Sequence, residues 1–172
     1  AFQEEYDALA WSTNKKNFER WCTGTTGFPI VDAGMRQLNK TGFMHNRVRM
    51  IVASFLTKDL QISWRWGEQY FARTLVDYDP CVNNGNWQWC ASTGTDAMRG
   101  YRIFNPALQS KKFDQDGAYI RRYVPELARV SAKRIHEPHV MSADEQERAG
   151  CRIGTDYPSP VVDHQLARQE YL

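Results

Sequence analysis

Residues 77–89 read DYDPCVNNGNWQW and gather two carboxylates, adjacent amides, a glycine and two tryptophans into one short segment. Trp87 and Trp89 stand two residues apart. At about 100° per residue they diverge by about 200° on a helix, so each ring looks into a different environment. One ring can border a buried aromatic ligand and the other an outer pocket. The segment is therefore a candidate site held between two partners. The run Phe43-Met44-His45-Asn46-Arg47-Val48-Arg49-Met50 adds two arginines that diverge in the same way. Arg49 precedes an apolar stretch with Ile51, Val52, Phe55 and Leu56. A guanidinium buried there without a partner is costly, so Asp77 or Asp79 is its expected carboxylate. A structural ion pair without any ligand satisfies the same constraint.

Other signals have bland readings too. The six tryptophans of this chain serve equally well to fill a large-volume core. Asn83-Asn84-Gly85 reads as a turn, because Asn and Gly tolerate positive φ.

The elements that must position these residues read as helices. No repeat or low-complexity tract appears, and no strand alternation is sustained. A short helix over 14–22 is closed by the GTTG run, and Pro29 opens a second that breaks at Gly42. Residues 44–56 predict a third helix, 58–63 a linker and 64–75 a fourth. The 77–89 segment follows, punctuated by Pro80 and Gly85. Phe104-Asn105-Pro106 marks a boundary, 116–127 a further helix, and 137–172 a looser tail. The expected fold is all-α, an irregular helical bundle with its core over about 11–130.

Composition bounds the rest. With 172 residues, 42% hydrophobic, 24% charged and net charge +2, the chain fits one globular domain with a real core. A mean hydropathy of −0.63 and the lack of a long uncharged apolar run exclude a membrane-spanning helix. No charged-then-apolar leader opens the chain, so no export is expected. Cys22, Cys81, Cys90 and Cys151 lack CxxC spacing and are expected to be reduced, buried thiols. His136 and His139 flank Pro138 without a second close pair, so no metal site is expected. A basic run from 99 to 134 offers a face for phosphates, although Asp114, Asp116 and Glu126 dilute it toward a solvated mixed surface.

The runs FPIVDAGMRQLNKTGFMHNRVRMIVASFLTKDL and YFARTLVDYDPCVNNGNWQWCASTGTDAMRGYRIFNP closely resemble the flavin-binding catalytic domain of DNA photolyases and cryptochromes. The likeness is strongest to bacterial class I photolyases that repair cyclobutane pyrimidine dimers. It covers about 11–127 and continues more loosely through HEPHV and DYPSPVVDH. The resemblance implies an all-helical domain around a U-shaped FAD. Asn46, Arg49, Asp77, Tyr78, Asp79 and Asn83 match positions bordering the cofactor. Arg49 matches an arginine paired with the first aspartate, and Asn83 a residue facing flavin N5. Asn46, Arg47, Met50 and Trp89 match the wall of the dimer pocket, where a flipped-out lesion needs flat apolar sides and a few polar contacts. Gln109 matches a position near the DNA, and Arg102 and Lys112 are expected to bind flanking phosphates. Trp87, Trp64 and Trp11 match an electron-hopping triad that reduces the flavin in light, while Trp21 and Trp66 read as packing.

The same resemblance implies an enzyme of DNA repair: reduced, photoexcited FAD splits the dimer by electron transfer. Its partners are DNA containing pyrimidine dimers and FAD, with no membrane. The expected state is a monomer in the bacterial cytosol. A cryptochrome-type light sensor and a plain helical DNA-binding module are the alternatives. The family's α/β antenna domain, which carries a folate or deazaflavin chromophore, has no counterpart in these residues. Neither do its Thr/Ser-rich phosphate loop and the Glu/Trp helix that completes the dimer pocket. This polypeptide alone is therefore expected to bind FAD weakly or not at all. Titration with FAD checks this, and tight stoichiometric binding contradicts it.

Overall fold

The structure, a computed structural model, describes residues 6, 8–94 and 103–171. Among them it is helical, with two isolated β-bridges and no strand. Local sequence sets most helix ends. Helix α1 (Lys15–Thr23) starts where the Asn14 side chain accepts from Asn17 N at 3.0 Å, and ends at Gly24 with φ 67°. Helix α2 (Pro29–Thr41) has proline in its first turn and ends at Gly42 with φ 69°. Both ends follow from the left-handed conformation that glycine adopts without a Cβ penalty. Helix α3 (Asn46–Ser54) is capped by the His45 side chain, which accepts from Arg47 N.

Helix α3 runs directly into a π-helical turn, Phe55–Asp59. The linker expected over 58–63 is thus displaced at its start: Lys58 and Asp59 are buried inside this turn. The Lys58 ammonium donates to Ser92 Oγ at 2.8 Å and Tyr171 Oη at 2.5 Å, and lies 4.1 Å from the Tyr171 ring centre. Asp59 is held by His164 Nδ1. Burial pushes the Asp59 carboxyl above its usual pKa, and the His164 contact opposes that. These partners arrive from the far end of the chain, so local sequence gives no sign of them.

Helix α4 spans Trp64–Thr74 and helix α5 Pro80–Ala91. The boundary at 104–106 opens a helix of its own, α6 (Pro106–Phe113), with Asn105 Oδ1 accepting from Leu108 N. The helix expected over 116–127 divides into α7 (Ala118–Tyr123) and a 3₁₀ turn, Pro125–Leu127. Pro125 lacks the N–H needed to continue α7 and clashes with the preceding turn.

The stretch read as a looser tail is ordered. It carries a 3₁₀ turn (Pro138–Val140), α8 (Ala143–Ala149) and α9 (His164–Tyr171). Ser142 and Glu145 form a reciprocal capping box at the start of α8. Cys151 and Tyr157 are fully buried. Tyr157 Oη donates to Asp32 at 2.5 Å, and the same carboxylate accepts from Thr26 N, Thr26 Oγ1 and Gly27 N. Burial pushes the Asp32 carboxyl up, while these donors oppose the shift. The cluster ties the segment before α9 to the loop that opens α2.

The core sits between α1, α2, α3 and the π turn, with Trp21, Met35, Leu38, Phe55 and Leu56 buried. Trp21 Nε1 donates to Val52 O at 3.0 Å. The four cysteines are free, yet Cys81 is exposed and Cys22 only partly buried, against the expected burial. His136 bonds Ser110 Oγ and Gln115 O. No helix among the described residues is long and apolar enough to cross a membrane.

Removing the Tyr157 hydroxyl leaves Asp32 short of one buried donor. Tyr157→Phe is expected to lower unfolding free energy by about 1–3 kcal/mol, read as a shifted midpoint in urea denaturation.

Candidate functional site

Helix α5 carries the chemistry-bearing segment. Asp79 caps it, accepting from Val82 N at 2.9 Å, and Pro80 occupies its first turn. These start signals prevail over Asn83, Asn84 and Gly85, which lie inside one continuous helix and form no turn. Gly85 costs about 1 kcal/mol relative to alanine in a helix interior. A Cβ built on it meets nothing within 4 Å. Packing does not explain this glycine, and the residue lies in the wall of a cavity of about 720 Å³. The missing side chain keeps that wall low.

The two tryptophans differ in burial, but both line the cavity rather than facing wholly separate environments. Trp87 is buried edge-on to Phe71, with ring centres 4.9 Å apart, and touches Trp21 at 6.0 Å. Trp89 is half-buried and faces the cavity. Trp87 reaches its seat because α4 has a glycine beneath it. A Cβ on Gly67 would fall 2.2 Å from Trp87 Cη2 and 2.7 Å from Leu56 Cδ2.

Helix α3 supplies the opposite wall through Asn46, Arg49 and Met50, and the loop before α5 adds Asp77, Tyr78 and Asp79. Arg49 Nη2 binds Asp77 Oδ2 at 2.8 Å and Oδ1 at 3.1 Å, and Arg49 Nε donates to Met44 O at 2.6 Å. Asp77 is thus the partner, with Asp79 used as the helix cap. The pair is not deeply buried as expected: the side chains are 24% and 47% exposed. A pair this exposed contributes about 0–1 kcal/mol, so its effect is to fix a cation and an anion side by side in the wall. Asn83, by contrast, is buried. Its Nδ2 donates to Glu68 O and Glu68 Oε1, each at 3.1 Å. Both amide hydrogens have acceptors, so Asn83 offers the cavity an acceptor, Oδ1.

Five expected site residues lie outside this cavity. Arg47 turns away from it, its guanidinium 4.9 Å from the Phe113 ring centre on α6. Lys112 lies over the same ring, and Gln109 sits on the same helix. Trp64 begins α4 in the core, and Trp11 is half-buried against that core. Neither shares a ring contact with Trp87; the tryptophan that does is Trp21. Arg102 lies outside the described residues. Much of the basic run is engaged internally: Lys111 with Glu137, Arg134 with Glu145, and Arg121 with Val130 O. Sequence reasoning missed Gly67 and Glu68, whose only signal was a glycine inside the helical run WRWGEQ.

The whole chain, residues 1–172, matches the family described as the FAD binding domain of DNA photolyase. The chain belongs to this family. It is 58% identical over 169 residues to the deoxyribodipyrimidine photo-lyase of Alkalihalophilus pseudofirmus, covering 98% of this chain and 35% of that protein. The bacterial class III photolyase of Agrobacterium tumefaciens superposes with a TM-score of 0.95 at 54% identity, over 99% of this chain and 35% of its own. A Synechocystis cryptochrome superposes with a TM-score of 0.92 at 46% identity, over 95% of this chain and 34% of its own. The chain spans about a third of the length of these relatives. The all-α architecture expected from the family is the one observed. Within it, the photolyase-family segment 77–89 forms the loop before α5 and most of that helix.

Gly67→Ala forces Trp87 or α4 to move. The expected result is a loss of about 1–3 kcal/mol of stability and a changed near-ultraviolet circular dichroism of the tryptophans. An unchanged spectrum and midpoint would show that the contact is soft.

Proposed function

We propose that the whole protein is a light-dependent DNA repair enzyme, a deoxyribodipyrimidine photo-lyase that uses FAD to split cyclobutane pyrimidine dimers. The observation that carries this reading is the wall of α5. One helix presents a buried acceptor-only amide, Asn83, and a half-exposed indole, Trp89, to the same cavity. Family membership supports the choice of cofactor.

The residues fit a flavin on their own chemistry. The cavity volume falls within the range of cofactor sites, about 300–1,000 Å³. Gly85 leaves its wall open to a flat ring, and the Arg49–Asp77 pair offers a cation and an anion to polar ring edges. When bound and fully reduced, FAD supplies the electron that, after light absorption, opens the cyclobutane ring and is then returned. Everything else falls to the protein. Asn83 would accept a hydrogen bond from the ring N–H of a reduced flavin. Arg49, Asp77, Tyr78, Asp79 and Asn46 hold the polar parts of the cofactor. Met50 and Trp89 wall the flipped-out lesion, with Asn46 as its polar contact, while Arg47, turned toward Phe113, serves the strand beside it. Gln109, Arg102 and Lys112 serve the flanking strand. By resemblance, Trp87, Trp64 and Trp11 would carry the electron that reduces a bound flavin in light, a route separate from repair.

Within the family we assign the chain to the class I enzymes, on the sequence runs quoted above. The chain forms part of the flavin domain, and an antenna domain with a folate or deazaflavin belongs to the rest of the protein. The whole protein works as a monomer in the cytosol. A cryptochrome-type sensor is the second reading, favoured by the 46% identity to the Synechocystis cryptochrome.

Two variants of the whole protein separate these roles. Trp89→Ala is expected to lower light-dependent reversal of a thymine dimer by about 5- to 150-fold, the scale of one base–indole stack worth about 1–3 kcal/mol, with flavin photoreduction intact. Trp87→Phe is expected to block photoreduction while chemically reduced enzyme still repairs. A sensor shows no reversal for Trp89→Ala to diminish.

A further inference from the structure

Phe113, at the end of α6, holds two cations on one ring. The Arg47 guanidinium lies 4.9 Å from the ring centre and the Lys112 ammonium 5.4 Å from it. The two charges can be no farther apart than these two distances laid end to end. Neither has a carboxylate partner among the described residues, whereas neighbouring Lys111 is paired with Glu137 and Arg49 with Asp77. The ring itself is 48% exposed. An aromatic face attracts a cation by about 0.5–1 kcal/mol at exposed sites, so one ring only partly offsets the repulsion between two.

Arg47 is doubly disfavoured. It lies in the first turn of α3, which contains no acid, where the positive end of the helix repels a cation. Its neighbour Asn46 lines the cavity. Gln109, Lys112 and Phe113 stand at i, i+3 and i+4, on one face of α6. Gln109 Oε1 on that face is buried without a hydrogen-bond partner. The two cations are thus short of negative charge, and Arg47 adjoins Asn46 of the cavity wall.

We propose that Phe113 is a positioning residue for DNA: its ring sets Arg47 and Lys112 as a two-point clamp on successive phosphates of the strand beside the cavity. The role rests on the repair reading above. One strand carries a phosphate about every 3.4 Å of axis, close enough for two neighbours to meet two cations that share a ring. The clamp fixes where the strand runs and carries no lesion preference, because phosphates hold no sequence or damage information.

The test uses the whole protein, with duplex oligonucleotides with and without a single thymine dimer, titrated across a salt series. Phe113→Leu keeps the apolar bulk and both cations but removes the π face. It is expected to weaken binding to both duplexes equally, by about three- to tenfold, and to flatten the slope of log affinity against log salt by about 0.9 for each phosphate that is no longer neutralised. Phe113→Trp, with the stronger cation-binding face, restores both. Wild-type affinity and slope in Phe113→Leu overturn the proposal. So does a loss confined to the damaged duplex, or loss of bound flavin, which marks a merely structural ring. A wild-type protein with no salt-sensitive DNA affinity overturns both this role and the repair function.

Discussion

Trp87 sits where it does because Gly67 has no side chain. The Trp87 ring edge occupies the space a Cβ on α4 would take, and that single close approach sets how near α5 lies to α4. Everything α5 presents to the cavity depends on it. The spacing of α4 and α5 brings the Asn83 amide to Glu68, and it presses Trp87 against Phe71 and Trp21. Trp89, two residues on, lines the same cavity from a less buried position. A side chain at position 67 alters all of these together, because packed interiors transmit displacement.

The second wall is held differently. Arg49 on α3 is pinned between Met44 O and Asp77, which couples the start of α3 to the loop before α5. Behind both walls, the π turn after α3 is anchored by groups remote in sequence, with Lys58 on Ser92 and Tyr171, and Asp59 on His164. Ser92 is the left-handed residue that ends α5. The last helix therefore braces the end of the helix that carries the site.

Features governed by neighbours in sequence were legible. Pro29 and Gly42 bound α2, the unequal burial of Trp87 and Trp89 follows from helix periodicity, and Arg49 requires a carboxylate wherever it is partly buried. Features governed by distant partners were not. Nothing local shows that Lys58 is buried, because its partners lie 34 and 113 residues away. The segment after residue 137 looks loose by its proline, glycine and charge content, yet Tyr157 and Cys151 bury against the core. Asn-Asn-Gly reads as a turn until the Asp79 cap and Pro80 commit it to a helix. By resemblance Arg47 belongs to the dimer pocket, whereas Lys112 reads as a contact for flanking phosphates. Only the fold brings both onto one exposed ring.

The most direct measurement is repair itself, made on the whole protein. Chemically reduced enzyme is mixed with an oligonucleotide carrying one thymine dimer, and reversal is followed under near-ultraviolet light and in the dark. A site built to hold FAD against a flipped-out dimer gives reversal in the light alone. Bound, photoreducible flavin with no reversal contradicts that reading and leaves a light sensor in its place.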